Sequence, residues 1–156
     1  MKNIYKIFLL FAMIFLMSFS NVYSQKVNFK RTEKWQTINK VDGVSFYYKV
    51  AACTDSLNGL SNEMVLLKLE NKKNIAVKVE WNLFKYYNGK CINCDTEKNS
   101  ENYSFITLQP NSAKEGACFD YGVKNLSFLS KMLNFSSNTS ELTDFELKNI
   151  AVSAIK

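Results

Sequence analysis

The sequence predicts an all-β protein, an antiparallel β-sandwich of about seven strands. Three observations predict it. Apolar and polar residues alternate with period two in successive segments, and these segments follow one another at hairpin spacing. A third is that no segment provides the helical crossover that a parallel sheet needs. With 156 residues, 47% of them hydrophobic and 14% aromatic, the chain is long enough for one core and too apolar for a disordered protein.

Three segments show the alternation most clearly: Val44–Ala52, Glu63–Asn71 and Ala76–Tyr87. In the third, one face carries the apolar residues Val77, Val79, Trp81 and Leu83. A strand with this pattern is half-buried, because successive side chains point to opposite faces of a sheet. We therefore expect Trp81 to fill the space between two sheets.

The second half of the chain continues with shorter strands. Tyr103–Leu108 is followed by Pro110, the only proline, which marks an edge or a corner because it cannot donate to a central ladder. Ala113–Phe119 predicts a further short strand. Leu126–Phe135 fits either a helix or a strand, and its neighbours favour the strand.

The last segment, Phe145–Ala154, changes parity along its length. Phe145 and Leu147 share one face, and Ile150 and Val152 share the other. A slip of one residue is what a β-bulge produces, so the pattern predicts a bulge near Lys148-Asn149.

The segment Leu108-Gln109-Pro110-Asn111-Ser112 resembles the leucine–x–proline corner of fibronectin-like domains, without the tyrosine that usually follows it. Together with the strand layout over Val44–Ala154, this resembles an immunoglobulin- or fibronectin-type-III-like sandwich. The resemblance implies architecture and no activity, because folds of this kind host many functions.

The first residues have the pattern of a secretory signal peptide. Lys2 and Lys6 precede the apolar run Ile7–Met17, and small residues lead to a cleavage site before Gln25. The alternative is a membrane anchor, but the run is short for a span of about 20 residues. We expect a secreted or periplasmic protein without a membrane span after cleavage, and its composition is typical of bacteria.

The predicted organisation is a signal peptide over residues 1–24, a basic N-terminal arm over residues 25–40 and a β-sandwich over residues 41–156. The net charge of the chain is +6, and residues 25–40 contribute +4 of it. We expect this arm to lie outside the core and to make a weak contact with anionic surfaces.

Composition excludes several classes of chemistry. The chain has no His, so a Ser–His–Asp triad, a Cys–His pair and an imidazole metal ligand are excluded. Arg31 is the only arginine, which argues against nucleic acid as a partner because arginine dominates phosphate and base contacts.

The four cysteines are the one chemical signal, and in an exported protein they predict two disulfides. Three pairings are open, and we favour Cys53–Cys118 with Cys91–Cys94. The chain-entropy model gives the first bridge about 4 kcal/mol and the second about 2 kcal/mol. That model does not choose the pairing, because 53–91 with 94–118 would give slightly more in total.

Other interpretations of the cysteines are weaker. A redox-active Cys-x-x-Cys motif stands at a helix N-terminus, whereas the polar residues after Cys94 have no apolar helical face. A four-cysteine zinc site usually has two such motifs, and only one is present. The nearby Asp95, Glu97 and Glu101 lack the spacing of an EF-hand calcium loop. We therefore expect no metal and no cofactor.

Tyr47, Tyr86 and Tyr87 are candidate binding residues. They stand in runs of adjacent aromatics, and one member of each adjacent pair should face outward from its sheet. Exposed tyrosines are enriched at binding surfaces. The plainer interpretation is that they form cross-strand pairs that stabilise the sheet.

These observations favour a non-enzymatic binding or structural accessory module whose partner is an unknown protein or glycan. An inhibitor or adhesion module that presents the loops 54–62 and 88–102 is a variant of this hypothesis. The alternative is a periplasmic thiol–disulfide exchange protein that uses Cys91 and Cys94.

Overall fold

A computed structural model describes residues 23–94, 101–119, 126–134 and 140–155. Within these ranges the chain forms ten β-strands and no helix, in two antiparallel sheets, so the all-β prediction is confirmed. The predicted signal segment up to Val22 lies outside the described residues, as do Asp95 and Glu97.

Sheet 1 has the strand order β1-β10-β5, and the far edge of β5 is shared by β6 and β7. Its strands are β1 (Tyr23–Lys26), β5 (Val77–Tyr87), β6 (Lys90–Cys91), β7 (Tyr103–Leu108) and β10 (Leu142–Ala154).

Sheet 2 has the order β2-β3-β4, and the far edge of β4 is shared by β8 and β9. Its strands are β2 (Gln36–Val41), β3 (Val44–Asp55), β4 (Leu60–Asn71), β8 (Ala113–Glu115) and β9 (Ser127–Met132). The strand prediction for Leu126–Phe135 is therefore confirmed over β9.

The core lies between the sheets and takes the faces that the alternation predicts. Trp81 on β5 is 1% exposed, and Phe46 and Leu67 in sheet 2 are fully buried. The predicted bulge is present, because the pairing of β10 with β5 shifts register between Lys148 and Ala151. Asn149, inside that shift, has a φ of 53°, a left-handed conformation that asparagine tolerates better than most residues.

Three strands were not among the seven expected, namely β1, β2 and β6. Two of them belong to the N-terminal part of the chain, where β1 pairs with β10 and β2 pairs with β3. The expectation that the arm stays outside the core is wrong for its apolar residues. Val27 is 5% exposed and part of the core, and Phe29 packs against it. Val27 and Phe29 thus cover apolar surface at the edges of the two sheets.

On the far edge of β4, Leu67 lies between the stretch that pairs with β9 and the stretch that pairs with β8. At Leu67 the backbone N–H donates to Leu126 O, and Leu67 O accepts from the N–H of Gly116, both at 2.8 Å. Gly116 lies so close to the chain at Leu126 that a Cβ there would stand 2.0 Å from Leu126 O. This position therefore requires glycine for steric room.

Candidate functional site

Both predicted disulfides are present. Cys53 on β3 is bonded to Cys118 just after β8, with 5.5 Å between their Cα atoms. Cys91 on β6 is bonded to Cys94, with 5.9 Å between Cα atoms. All four cysteines are therefore paired, and none is free.

The Cys91–Cys94 loop closes a gap in sheet 1. β7 pairs with β5 from Val77 to Asn82, and β6 pairs only with Tyr86 and Tyr87. Between these stretches the edge of β5 at residues 83–85 has no strand beside it. Asn93, enclosed by the disulfide, takes that place with its side chain.

Asn93 pairs with β5 as a neighbouring strand would. Its Oδ1 accepts from the N–H of Lys85 at 2.9 Å, and its Nδ2 donates to Leu83 O at 2.8 Å. The N–H of Leu83 donates to Asn102 O, and the Asn102 side chain donates to Asn93 O. The disulfide thus holds the side-chain amide of Asn93 where it hydrogen-bonds the backbone of β5, and this role is structural.

Tyr47 and Tyr86 lie on the outer faces of the two sheets, with their hydroxyls directed at carboxylates. Tyr47 Oη donates to Glu70 Oε2 at 3.0 Å, and this bond is the main cause that lowers the pKa of Glu70. Burial and the Glu146 carboxylate raise the pKa of Tyr86. Tyr103, which the sequence did not single out, repeats the arrangement by donating to Glu80, and that bond raises the pKa of Tyr103 to about 12.

Each of these carboxylates also pairs with a lysine two residues away, so the three sets share one design. The ion pairs are Lys72–Glu70 at 3.4 Å, Lys78–Glu80 at 3.0 Å and Lys148–Glu146 at 2.9 Å. In each set the tyrosine stands diagonally across the adjacent strand, a relation that depends on register. These hydroxyls are therefore already engaged, which favours the stabilising interpretation of the outer-face tyrosines.

Tyr87 faces inward, opposite to Tyr86. Its hydroxyl donates to Leu129 O on β9, so it ties sheet 1 to sheet 2. Burial raises the pKa of Tyr87 to about 12. Tyr87 therefore packs against the core between the sheets and does not lie on the outer face of sheet 1.

A cleft of about 340 Å³ opens between the N-terminal arm and β2, and we call it the lateral cleft. Residues of the arm, of β2 and of β3 line it: Val27, Asn28 and Lys30, then Gln36 and Thr37 with Ile38, and finally Tyr48. It lies where the outermost strands of both sheets, β1 and β2, end the sandwich on one side.

Hydrogen bonds between the arm and Tyr48 build the floor of this cleft. The N–H of Lys30 donates to Tyr48 Oη at 2.9 Å, and that hydroxyl donates to Asn28 O at 3.3 Å. Below it, the rings of Tyr48 and Phe145 meet edge to face, with 5.4 Å between centroids. Phe29 packs on both rings. The cleft is thus attached to an aromatic cluster that spans the two sheets.

Arg31 fixes the outer side of the arm. Its guanidinium pairs with Glu63 at 3.1 Å and with Glu141 at 2.7 Å, and it donates to Leu142 O at 2.9 Å. These contacts link the arm to β4 and to the start of β10. Because a planar guanidinium can serve several acceptors at once, the only arginine stands where three are available.

No family model, curated protein or solved structure matches the chain. Among the described residues, no helix has the length and apolar character that crossing a bilayer demands. In the same part of the chain, no three Cys, Asp or Glu groups converge as a metal site would require.

Proposed function

We propose that this chain is an exported, disulfide-stabilised binding protein without enzymatic activity, and that the lateral cleft is its binding site. The signal peptide predicted from the sequence and the paired cysteines support the location, since disulfides persist in oxidising compartments. The cleft supports the binding role. In this proposal the protein acts in the periplasm or outside the cell as an accessory that binds a protein or glycan partner.

The cleft is the single observation that carries this proposal. Ligand sites in proteins are concave, usually pre-formed, and about 300–1,000 Å³ in volume, and the lateral cleft has about 340 Å³. Its walls come from two segments that the aromatic cluster and Arg31 hold in place. A site held in this way binds without the entropy cost of ordering a loop.

The test is an amide chemical-shift titration of the ¹⁵N-labelled protein with both disulfides formed. The probes are a neutral tetrasaccharide, a uronic acid tetrasaccharide and tetraglutamate, which represent glycan and protein partners. The proposal expects at least one probe to shift the amides of Lys30, Thr37 and Ile38. Shifts confined to other regions, or none with any probe, would contradict it.

The second candidate function is thiol–disulfide exchange at Cys91 and Cys94. Its support is the exposure of Cys94 at the surface, since exchange requires access of an attacking thiolate to one sulfur. Catalysed reduction of a disulfide substrate, lost in C91A/C94A and kept in C53A/C118A, would favour this function over the binding protein.

The immunoglobulin- or fibronectin-type-III-like layout stays an architectural hypothesis. In immunoglobulin domains the third strand lies in the opposite sheet from the first two, whereas β2, β3 and β4 are consecutive neighbours in one sheet here. The proposed function therefore rests on the cleft and takes nothing from a fold relationship.

A further inference from the structure

Lys30 places a positive charge on the rim of the lateral cleft. Its side chain is exposed, and none of the ion pairs among the described residues includes it. The neighbouring Arg31 differs, because Glu63 and Glu141 occupy its guanidinium. Lys30 is thus the cation of the arm that lines the cleft and stays available to a ligand.

Neutral polar groups complete the rim. Asn28, Gln36 and Thr37 are exposed side chains around the opening. Within the described ranges, no hydrogen bond engages the side chains of Asn28 and Thr37, and Gln36 uses only its Nε2, toward Lys34 O. Amides and hydroxyls both donate and accept, so together these groups match a ligand that carries several hydroxyls.

Apolar side chains close the floor of the cleft. Val27 is 5% exposed and Tyr48 is 2% exposed, and Ile38 is half-buried beside them. The Tyr48 hydroxyl is already hydrogen-bonded to the arm as donor and as acceptor. Because Val27 and Tyr48 are almost fully covered, the half-buried Ile38 is the apolar side chain of the lining that a ligand can touch, and it suits the C–H face of a sugar ring.

We propose that the lateral cleft binds an acidic oligosaccharide, with Lys30 paired to a carboxylate of a uronic acid unit. Asn28, Gln36 and Thr37 hydrogen-bond the sugar hydroxyls, and Ile38 contacts the ring. This inference rests on the proposed function and names its ligand class.

A peptide added along the edge of β2 is the main competing occupant, and the register of β2 argues against it. The pairing of β2 with β3 shifts between Thr37 and Asn39, which leaves Ile38 as an extra residue at the cleft. A bulge interrupts the regular row of edge N–H and C=O groups on which an added strand depends. An acyl chain fits less well still, because it would leave the polar rim without partners.

The experiment measures affinity by calorimetry for three probes of the same length, namely tetragalacturonate, neutral cellotetraose and tetraglutamate. The protein is used as the full exported chain with both disulfides formed, at low and at high salt. We expect binding of the acidic probe, weakened by salt because part of the attraction is between charges. K30Q should lower the affinity by on the order of tenfold or more, as loss of a charge-assisted hydrogen bond does.

K114Q is the matched control. Lys114 is an exposed lysine on β8, at the opposite edge of sheet 2 from β2. Its substitution removes the same charge and should leave the affinity within about twofold, since charges on the far side of a protein are largely screened. Unchanged circular dichroism and unchanged melting of K30Q show that a lost affinity is not a lost fold.

The outcomes separate the two proposals. Equal affinity for the neutral probe overturns the acidic specificity and leaves the binding function intact. Equal affinity for tetraglutamate overturns the assignment to sugars, and an unchanged affinity of K30Q overturns the site. Failure of all three probes overturns both this inference and the proposed function.

Discussion

Asn93 Oδ1 accepts a hydrogen bond from the backbone N–H of Lys85 at 2.9 Å, and through it a side chain replaces a missing strand. The amide of Asn93 has the same donor and acceptor as a peptide group, and it faces the gap between β6 and β7. The disulfide of the flanking cysteines holds the loop at that distance. The Cys-x-x-Cys motif of this protein therefore helps to pair the edge of β5 in sheet 1.

N93A tests this relation. It removes the bonds to Lys85 and Leu83 and should lower the free energy of unfolding by about 1–3 kcal/mol, the penalty for unpaired backbone groups. The amide of Lys85 should also exchange with solvent faster, as hydrogen-exchange NMR measures. I92A is the control, because Ile92 is 61% exposed, and an equal loss in both variants would contradict the role of Asn93.

The two disulfides should differ in their effect on stability. C53A/C118A opens a bridge with a sequence separation of 65, whereas C91A/C94A opens one with a separation of 3. In the chain-entropy model the first loses about 4 kcal/mol and the second about 2 kcal/mol, because a longer loop constrains the unfolded chain more. Urea titration of both variants without reductant measures this, and the reverse order would show that the short bridge acts mainly through Asn93.

Gly116 should not tolerate a side chain. In G116A the new Cβ would stand 2.0 Å from Leu126 O, so the contact that closes the edge of β4 at Leu67 must open. We expect a loss of at least about 1–3 kcal/mol, the range for overpacking. A117S alters an exposed neighbour and should stay within about 0.5 kcal/mol of the parent. Equal midpoints of G116A and the parent in urea would mean that this closure contributes nothing.

Trp81 should contribute by volume and not by its indole N–H. The side chain is 1% exposed, and among the described residues its Nε1 has no hydrogen-bond partner. W81A should therefore lose about 3–5 kcal/mol, and W81F clearly less, because the phenyl ring leaves a smaller cavity. Denaturant titration separates them, and similar losses for Phe and Ala would indicate an unseen partner for the N–H.

Stability should fall in alkaline solution as Tyr87 and Tyr103 ionise. Burial raises the pKa of Tyr87, and the bond to Glu80 raises that of Tyr103, both to about 12 from an ordinary value of 10.0. A raised folded-state pKa contributes stability that is complete below pH 10 and disappears as the pH rises through 12.

Ultraviolet titration of tyrosinate in the folded protein checks these two groups. E80Q removes the anionic acceptor and should return the pKa of Tyr103 toward its ordinary value, while that of Tyr87 stays high. Y87F should remove the other late step. Titration of both tyrosines near pH 10 in the folded parent would contradict the assigned contacts.

Much of the sheet structure could be predicted from the sequence because its causes are local. A strand with one buried face shows period two, which placed Trp81 inward and required one of Tyr86 and Tyr87 to face outward. The parity change after Leu147 marked the bulge, since one extra residue reverses the faces that follow. The favoured cysteine pairing was also confirmed, although loop entropy alone had left three pairings open.

The candidate site could not be predicted in the same way. Nothing in the residues around Asn93 distinguishes it from the many other asparagines of the chain, because its partners become neighbours only when β6 and β7 leave a gap beside β5. Tyr103 meets Glu80 on a diagonal that depends on register. The lateral cleft exists because the edges of two sheets end side by side and Tyr48 binds the arm between them. By itself the sequence determined which faces of the strands are apolar, because the alternation of apolar and polar residues is a local property of each segment. Only the tertiary structure decided which polar groups meet, since that depends on the packing of segments far apart in the chain.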